Sequence, residues 1–190
     1  MINGVYNRSD ALRSLRLLRR LMAGIVILAL IAAAGWPVYV DPPRDQLHPV
    51  DAIVVLGGAH DGREQYGLQL AEQGLAPQVV FTDAYPPSDQ FMRGICDGEY
   101  SFRVSCFRPV PYQTRGEGRE IARRAAAEGW TSIIAITFLP HTERARHILE
   151  KCWDGEILMA PSPTDIPPGI WAVNYVYQTA GYLRSALEGC

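Results

Sequence analysis

Residues 50–58 read Val-Asp-Ala-Ile-Val-Val-Leu-Gly-Gly, a run of branched apolar side chains that stops at two glycines. A strand that alternated apolar and polar residues would have one wet face. This one has none, so it is expected to be buried on both faces of a parallel sheet. Behind it, residues 62–74 carry helical spacing through Tyr66, Leu70 and Ala71 and end at a glycine, and residues 78–82 (Gln-Val-Val-Phe-Thr) form a second short apolar run. Strand, helix and strand in that order make a parallel crossover unit.

The alternation continues towards the C-terminus. Residues 114–129 place Ile121, Ala122, Ala125 and Ala126 on one helical face, and residues 132–138 (Ser-Ile-Ile-Ala-Ile-Thr-Phe) are a third buried strand. Pro140 suits the first turn of the next helix, whose Ala145, Ile148, Leu149 and Cys152 form an apolar stripe, and residues 156–160 make a fourth strand. Residues 161–168 are a proline-rich connector, and residues 170–187 a last helix with Ile170, Val173 and Tyr177 on one side. Between residues 83 and 111, Pro86, Pro87, Pro109 and Pro111 interrupt any periodicity, so a long loop is expected there. Taken together, the pattern predicts an α/β domain over residues 41–190: a doubly wound, Rossmann-like three-layer sandwich on a mostly parallel sheet.

Ahead of that domain, Arg8, Arg13, Arg16, Arg19 and Arg20 precede residues 21–40, 20 positions without a charge, and Asp41 closes the run. The length suits one transmembrane helix. Arginines on the N-terminal flank predict that residues 1–20 stay in the cytoplasm and residues 41–190 are exported from the plasma membrane. A cleaved signal peptide, with Ala32, Ala33 and Ala34 supplying the cleavage site, is the rival reading, and a soluble core helix a third. Both of the first two place the domain outside.

Cys96, Cys106, Cys152 and Cys190 all follow the hydrophobic segment, where disulfides persist if the domain is exported. The expected pairs are Cys96 with Cys106, bracing the 83–111 loop, and Cys152 with Cys190, tying down the last helix; free buried thiols are the alternative. No Cys-x-x-Cys pair occurs, and no metal site is expected. The formal net charge of -2 and the absence of a basic surface interleaved with aromatics leave nucleic acid out as a partner. Cofactor and oligomeric state carry no signal.

In sheets of this kind ligands sit at the carboxyl ends of the strands. Gly57 and Gly58 end the first strand, and small residues there allow backbone amides and a helix N-terminus to face an anion; plain tight-turn glycines are the ordinary alternative. Arg63, one step into the helix, is the feature that favours a phosphate or carboxylate. Asp83 and Thr137 end the second and third strands. His141 and Arg144, three apart in the first helical turn, are placed to share one crevice, the imidazole to move protons and the guanidinium to grip an anion; a capping histidine with a surface arginine is the plain reading. Thr114 and Glu117 form a Thr-x-x-Glu capping box, and Glu117 is also a candidate carboxylate for the crevice. Asp51, at the opposite end of its strand, reads as structural. No Gly-x-Ser-x-Gly elbow, His-Glu-x-x-His helix or Walker loop is present, so no nucleophile is signalled.

Asp-Ala-Ile-Val-Val-Leu-Gly-Gly at 51–58, Arg63, Thr114 with Glu117, and Thr-Phe-Leu-Pro-His-Thr-Glu-Arg-Ala at 137–145 together resemble the bacterial SanA/ElyC/YdcF family. That resemblance implies a Rossmann-like domain, often behind one N-terminal span, associated with the cell envelope, peptidoglycan maintenance and barrier function, with no defined reaction. Its motif positions here would be Asp51, Gly57, Gly58, Arg63, Thr114, Glu117, Thr137, His141 and Arg144. Two departures stand at the crevice: Thr82, Asp83 and Ala84 replace a Ser-Gly-Gly tendency, and Phe138 stands where a serine usually follows the threonine.

Two functions from different classes follow. In one, the crevice recognises an anionic, phosphate-bearing small molecule or lipid-linked ligand without turnover. In the other it is a hydrolase or transferase acting on a lipid-linked or nucleotide-linked sugar phosphate, with His141 as acid or base and Glu117 beside it. A nucleotide-cofactor enzyme ranks behind both, because the glycine fingerprint is incomplete.

Overall fold

The computed structural model describes residues 8–190. The cytoplasmic segment expected over residues 1–20 therefore lies partly outside the described residues. From Arg8 the chain is helical: α1 (Arg8–Gly35) runs 28 residues and passes into a π-helical turn, Trp36–Val40. Within it, Ala11–Val40 is one helix long and apolar enough to cross a membrane, and almost none of it is covered by the rest of the protein.

The domain that follows is a five-stranded, wholly parallel sheet with helices on both faces. Its elements are β1 (Ala52–Val55), α2 (Arg63–Glu72), β2 (Gln78–Thr82), α3 (Gln90–Cys96), β3 (Arg103–Phe107), α4 (Thr114–Glu128), β4 (Ser132–Thr137), α5 (Thr142–Leu149), β5 (Glu156–Pro161) and α6 (Pro168–Leu187). The sheet order is β3-β2-β1-β4-β5, every pairing parallel. Strand order therefore reverses direction about β1, and the switch point lies between β1 and β4.

Alternation along β1 explains the two cores. Ile53 and Val55 face α2 and α3, where Leu70, Ala71, Met92 and Ile95 meet them; Ala52, Val54 and Leu56 face α4 and α5 through Ile121, Ala125, Ala145 and Leu149. All four β1 side chains are buried, as a central strand covered on both faces requires. Asp51 does the structural work expected of it: one carboxylate oxygen accepts the backbone amides of Thr131 and Ser132 at 2.7 and 3.0 Å and stitches β1 to the start of β4.

The expected 83–111 loop is not a loop. It contains α3 and a fifth strand, β3, which pairs with β2 in register Val79 to Val104 and Phe81 to Cys106. Both escape periodicity because α3 is only seven residues long and β3 is a partly exposed edge strand. Asp89 caps α3 by accepting the amide of Met92 at 2.9 Å. The bracing is as expected: Cys96, the last residue of α3, is disulfide-bonded to Cys106 of β3, and Cys152 to Cys190. Cys152 itself lies past the end of α5, and Pro140 belongs to a separate 3-10 turn, Leu139–His141, ahead of that helix.

Candidate functional site

The loop after β1 is organised from within. The Arg63 guanidinium is buried and donates to both carboxylate oxygens of Asp61 at 2.8 and 2.7 Å, and to the carbonyls of Leu56 and Gly57, each at 3.1 Å. Gly58 is glycine for the same reason, since a Cβ there would stand 2.5 Å from Nη1 of Arg63. Asp61 also accepts the Arg63 amide at 3.3 Å, so the first turn of α2 already has its anion. Arg63, expected at the ligand, stands in the wall of the cleft described below, with its charge paired to Asp61 and its side chain bracing the glycine loop.

Glu117 reaches the same loop from α4. Its Oε1 accepts the Gly57 amide at 2.7 Å across sixty positions of sequence, and the side chain is buried. The capping box expected of Thr114 and Glu117 does not form; Gln113 is the N-cap residue, and no side chain caps the helix. Burial drives the Glu117 carboxyl above the ordinary carboxylate range, opposed by the hydrogen bond from Gly57. A Cβ on Gly57 would lie 3.1 Å from Ala84 and 3.5 Å from Oε1 of Glu117, which is why the chain is bare there.

On the other side of the switch point, His141 ends the 3-10 turn after β4. Its Nδ1 lies 2.9 Å from Oγ1 of Thr137 and its Nε2 3.5 Å from Oγ1 of Thr114. Burial, and then the charges of Arg144 and Arg63, hold its pKa well below the ordinary imidazole value, so the ring is neutral. Arg144, in the first turn of α5, donates from Nε to Oε1 of Gln178 at 2.7 Å and lies 5.7 Å over the Tyr177 ring. Among the described residues it forms no ion pair with a carboxylate. Burial pulls its pKa down from the ordinary guanidinium value, the signature of a charge left without full solvation.

These groups line one cavity of about 530 Å³ at the carboxyl ends of β1 and β4, with Gly57, Gly58, Thr114, Glu117, His141 and Arg144 in its walls. Thr137 stands behind His141, fully buried, and orients it. Asp83 is not in the cavity: its carboxylate turns to Arg108, 3.2 Å away, and Ala84 takes its place in the wall. A second cavity of about 410 Å³ continues past Arg144 and Tyr177 to Arg115, Lys151 and Arg184.

Among the wall residues missed from sequence are Asn174, Tyr177 and Gln178, all from α6. The available signal was Asn174 and Gln178, a polar pair four residues apart in a helix without an acidic residue, with Gln178 buried. Beside the cavity lies a further cluster, where His60 contacts the buried Glu64 at 2.8 Å and Asp89 at 3.2 Å and stacks on Tyr85. No trio of His, Cys, Asp or Glu side chains suited to a metal gathers among the described residues.

No protein-family model matches the chain, and no curated protein matches it. Its own geometry combines a neutral imidazole, a buried carboxyl and an unneutralised guanidinium around a polar cleft. Such a set has the chemistry to receive an anion at the guanidinium and to hold or move a proton beside it.

Proposed function

We propose that this is a membrane-anchored envelope protein of the SanA/ElyC/YdcF kind whose cleft binds a phosphate-bearing ligand. The observation that carries the reading is Arg144, a half-buried guanidinium in the cleft wall whose only directional partners among the described residues are the neutral Gln178 and the Tyr177 ring. A desolvated cation without a carboxylate is costly, and a bound phosphate would relieve that cost with two charge-assisted hydrogen bonds. The motifs shared with that family and its role in peptidoglycan maintenance and barrier function support the setting. So do the arginines ahead of the apolar run, which favour an N-terminus in the cytoplasm, and the disulfides, which favour an exported domain in an oxidising compartment.

The test is calorimetric titration of the full chain in detergent with inorganic phosphate and with simple phosphate monoesters. Binding is expected, and Arg144→Ala should weaken it roughly ten- to a hundredfold, the equivalent of one lost charge-assisted contact. Equal affinity in the variant would sink the reading. An enzymatic form, a hydrolase or transferase, is favoured by one further observation: neutral His141 and buried Glu117 stand in the same wall as Arg144. In that case His141→Ala should abolish phosphate release while leaving binding within a few-fold, whereas pure recognition predicts no release from either protein.

A further inference from the structure

We infer that α6 is a bilayer-facing helix, lying against the outer leaflet beside the anchor and holding the mouth of the cleft at headgroup level. The inference rests on reading α1 as a membrane span.

α6 is inside out for a soluble helix. The residues it buries are the polar Gln178 and Ser185, while Val173, Val176, Leu183 and Leu187 are 64, 73, 68 and 92 % exposed. With Ala180 these recur at three- and four-residue spacing and form one stripe. The helix contains no Asp or Glu and a single Arg184. Water does not favour such a face, and exposed apolar stripes of this length mark a membrane or a partner.

The bilayer is chosen over a partner by where α6 touches the anchor. Tyr175 donates to the carbonyl of Ala32 at 3.0 Å, its ring lies 5.0 Å from that of Tyr39, and Tyr39 meets Thr179 at 2.8 Å. Ala32 lies inside the uncharged 21–40 run, eight residues short of Val40. At 1.5 Å per residue that is roughly 12 Å of helix, so an element level with Ala32 cannot stand far above the lipid that the run crosses. On the helical wheel the exposed stripe points away from the domain, about a quarter turn from the anchor contacts. Trp36 opens the π-helical turn at the end of the anchor and α6 carries Trp171 and Tyr177, amphipathic rings of the kind favoured at the membrane surface. The opposite flank of α6 supplies Ile170, Asn174, Tyr177 and Gln178 to the cleft. The cleft therefore opens beside the leaflet.

The experiment is photocrosslinking of the full chain in nanodiscs of phosphatidylethanolamine and phosphatidylglycerol. p-Benzoylphenylalanine replaces Val176, Leu183, Leu28 in the anchor, or Arg123, exposed on α4. Lipid adducts are expected at Val176, Leu183 and Leu28 and not at Arg123. Adducts at Leu28 but not at the two α6 positions overturn the inference and leave the anchor standing, and a chain-to-chain adduct from Val176 overturns it in favour of a second copy. No adduct at Leu28 overturns the span and the inference with it. Phosphate titration of the same nanodiscs reports separately on the cleft.

Discussion

The hydroxyl of Thr137, the last residue of β4, lies 2.9 Å from Nδ1 of His141, and both residues are buried. A strand end thus orients the imidazole whose other nitrogen points towards Thr114 in the cleft. Thr137→Val keeps the shape and removes the partner. It should cost about 1–3 kcal/mol, the penalty for leaving a buried ring nitrogen unsatisfied. Urea denaturation reads the loss, and nitrogen NMR of the imidazole should show its tautomer preference relaxed.

His141 is neutral in the fold because burial depresses its pKa, while in the unfolded chain it titrates near the ordinary value of 6.5. The stability it contributes is complete above that value. Below it the unfolded chain binds a proton that the native state refuses, so stability falls as pH drops towards the folded pKa. Glu117, with a raised pKa, works in the opposite sense: its contribution is present below 4.5 and is lost as pH rises through the folded value. His141→Gln should flatten the loss of stability on acidification below pH 6.5, and Glu117→Gln should stabilise the protein at neutral pH. Thermal melts across pH measure both, and an unchanged acid limb in His141→Gln would count against a neutral buried ring.

Arg63 and Asp61 form a nearly dry ion pair, with side chains 4 and 10 % exposed. Removing one member strands the other, so Arg63→Met should cost about 3–5 kcal/mol and threaten folding itself. Asp61→Asn with Arg63→Met should recover part of that loss. A ligand-gripping Arg63 would behave differently, losing affinity with little change in stability, and the two are separated by melting each variant with and without phosphate.

Cys152 and Cys190 close a sequence separation of 38 residues that contains β5 and α6. Opening the bridge as Cys152→Ser with Cys190→Ser should cost about 2–4 kcal/mol. It should also free the C-terminus, where Arg119 donates to the Cys190 carbonyl at 2.6 Å and Lys151 to the Ser185 carbonyl, also at 2.6 Å. Limited proteolysis should then cut behind α6, and an uncut tail would mean these contacts suffice alone.

His60 clamps α2 to the cap of α3 through Glu64 and Asp89, and these two carboxylates raise its pKa against the opposing effect of burial, which is the largest single influence. Stability from the charged clamp is present below the ordinary histidine pKa and is lost as pH rises through the folded value. Amide exchange at Met92, whose N–H donates to Asp89, should therefore quicken on the alkaline side, and His60→Gln should remove that dependence.

Much of the fold was legible because buried parallel strands are locally apolar. The runs at β1, β2, β4 and β5 contain few residues that could face water, so their periodicity survives without any knowledge of neighbours. β3 was not legible, since an edge strand needs only one good face and Arg103-Val-Ser-Cys-Phe has mixed chemistry. In the cleft, His141 and Arg144 were found from local spacing after a strand. Asp83 was misplaced because nothing local shows that Arg108 would draw it away.

What the sequence alone determined, then, was the alternating α/β order, the end of β4 at Thr137 and the apolar segment, all of them properties of neighbouring residues or of simple spacing. The cysteine pairing expected from sequence was settled by the fold that brings the partners together. Only the tertiary structure decided which charges remain free. Arg63 and Arg144 are the same residue type at similar places in their helices, yet one lies against Asp61 and the other against Gln178 and Tyr177 of a helix more than thirty positions away. Whether a guanidinium in such a place is neutralised or left without a carboxylate depends on the partner that folding brings to it. That partner is chosen by packing across the sheet, over distances the local pattern does not encode.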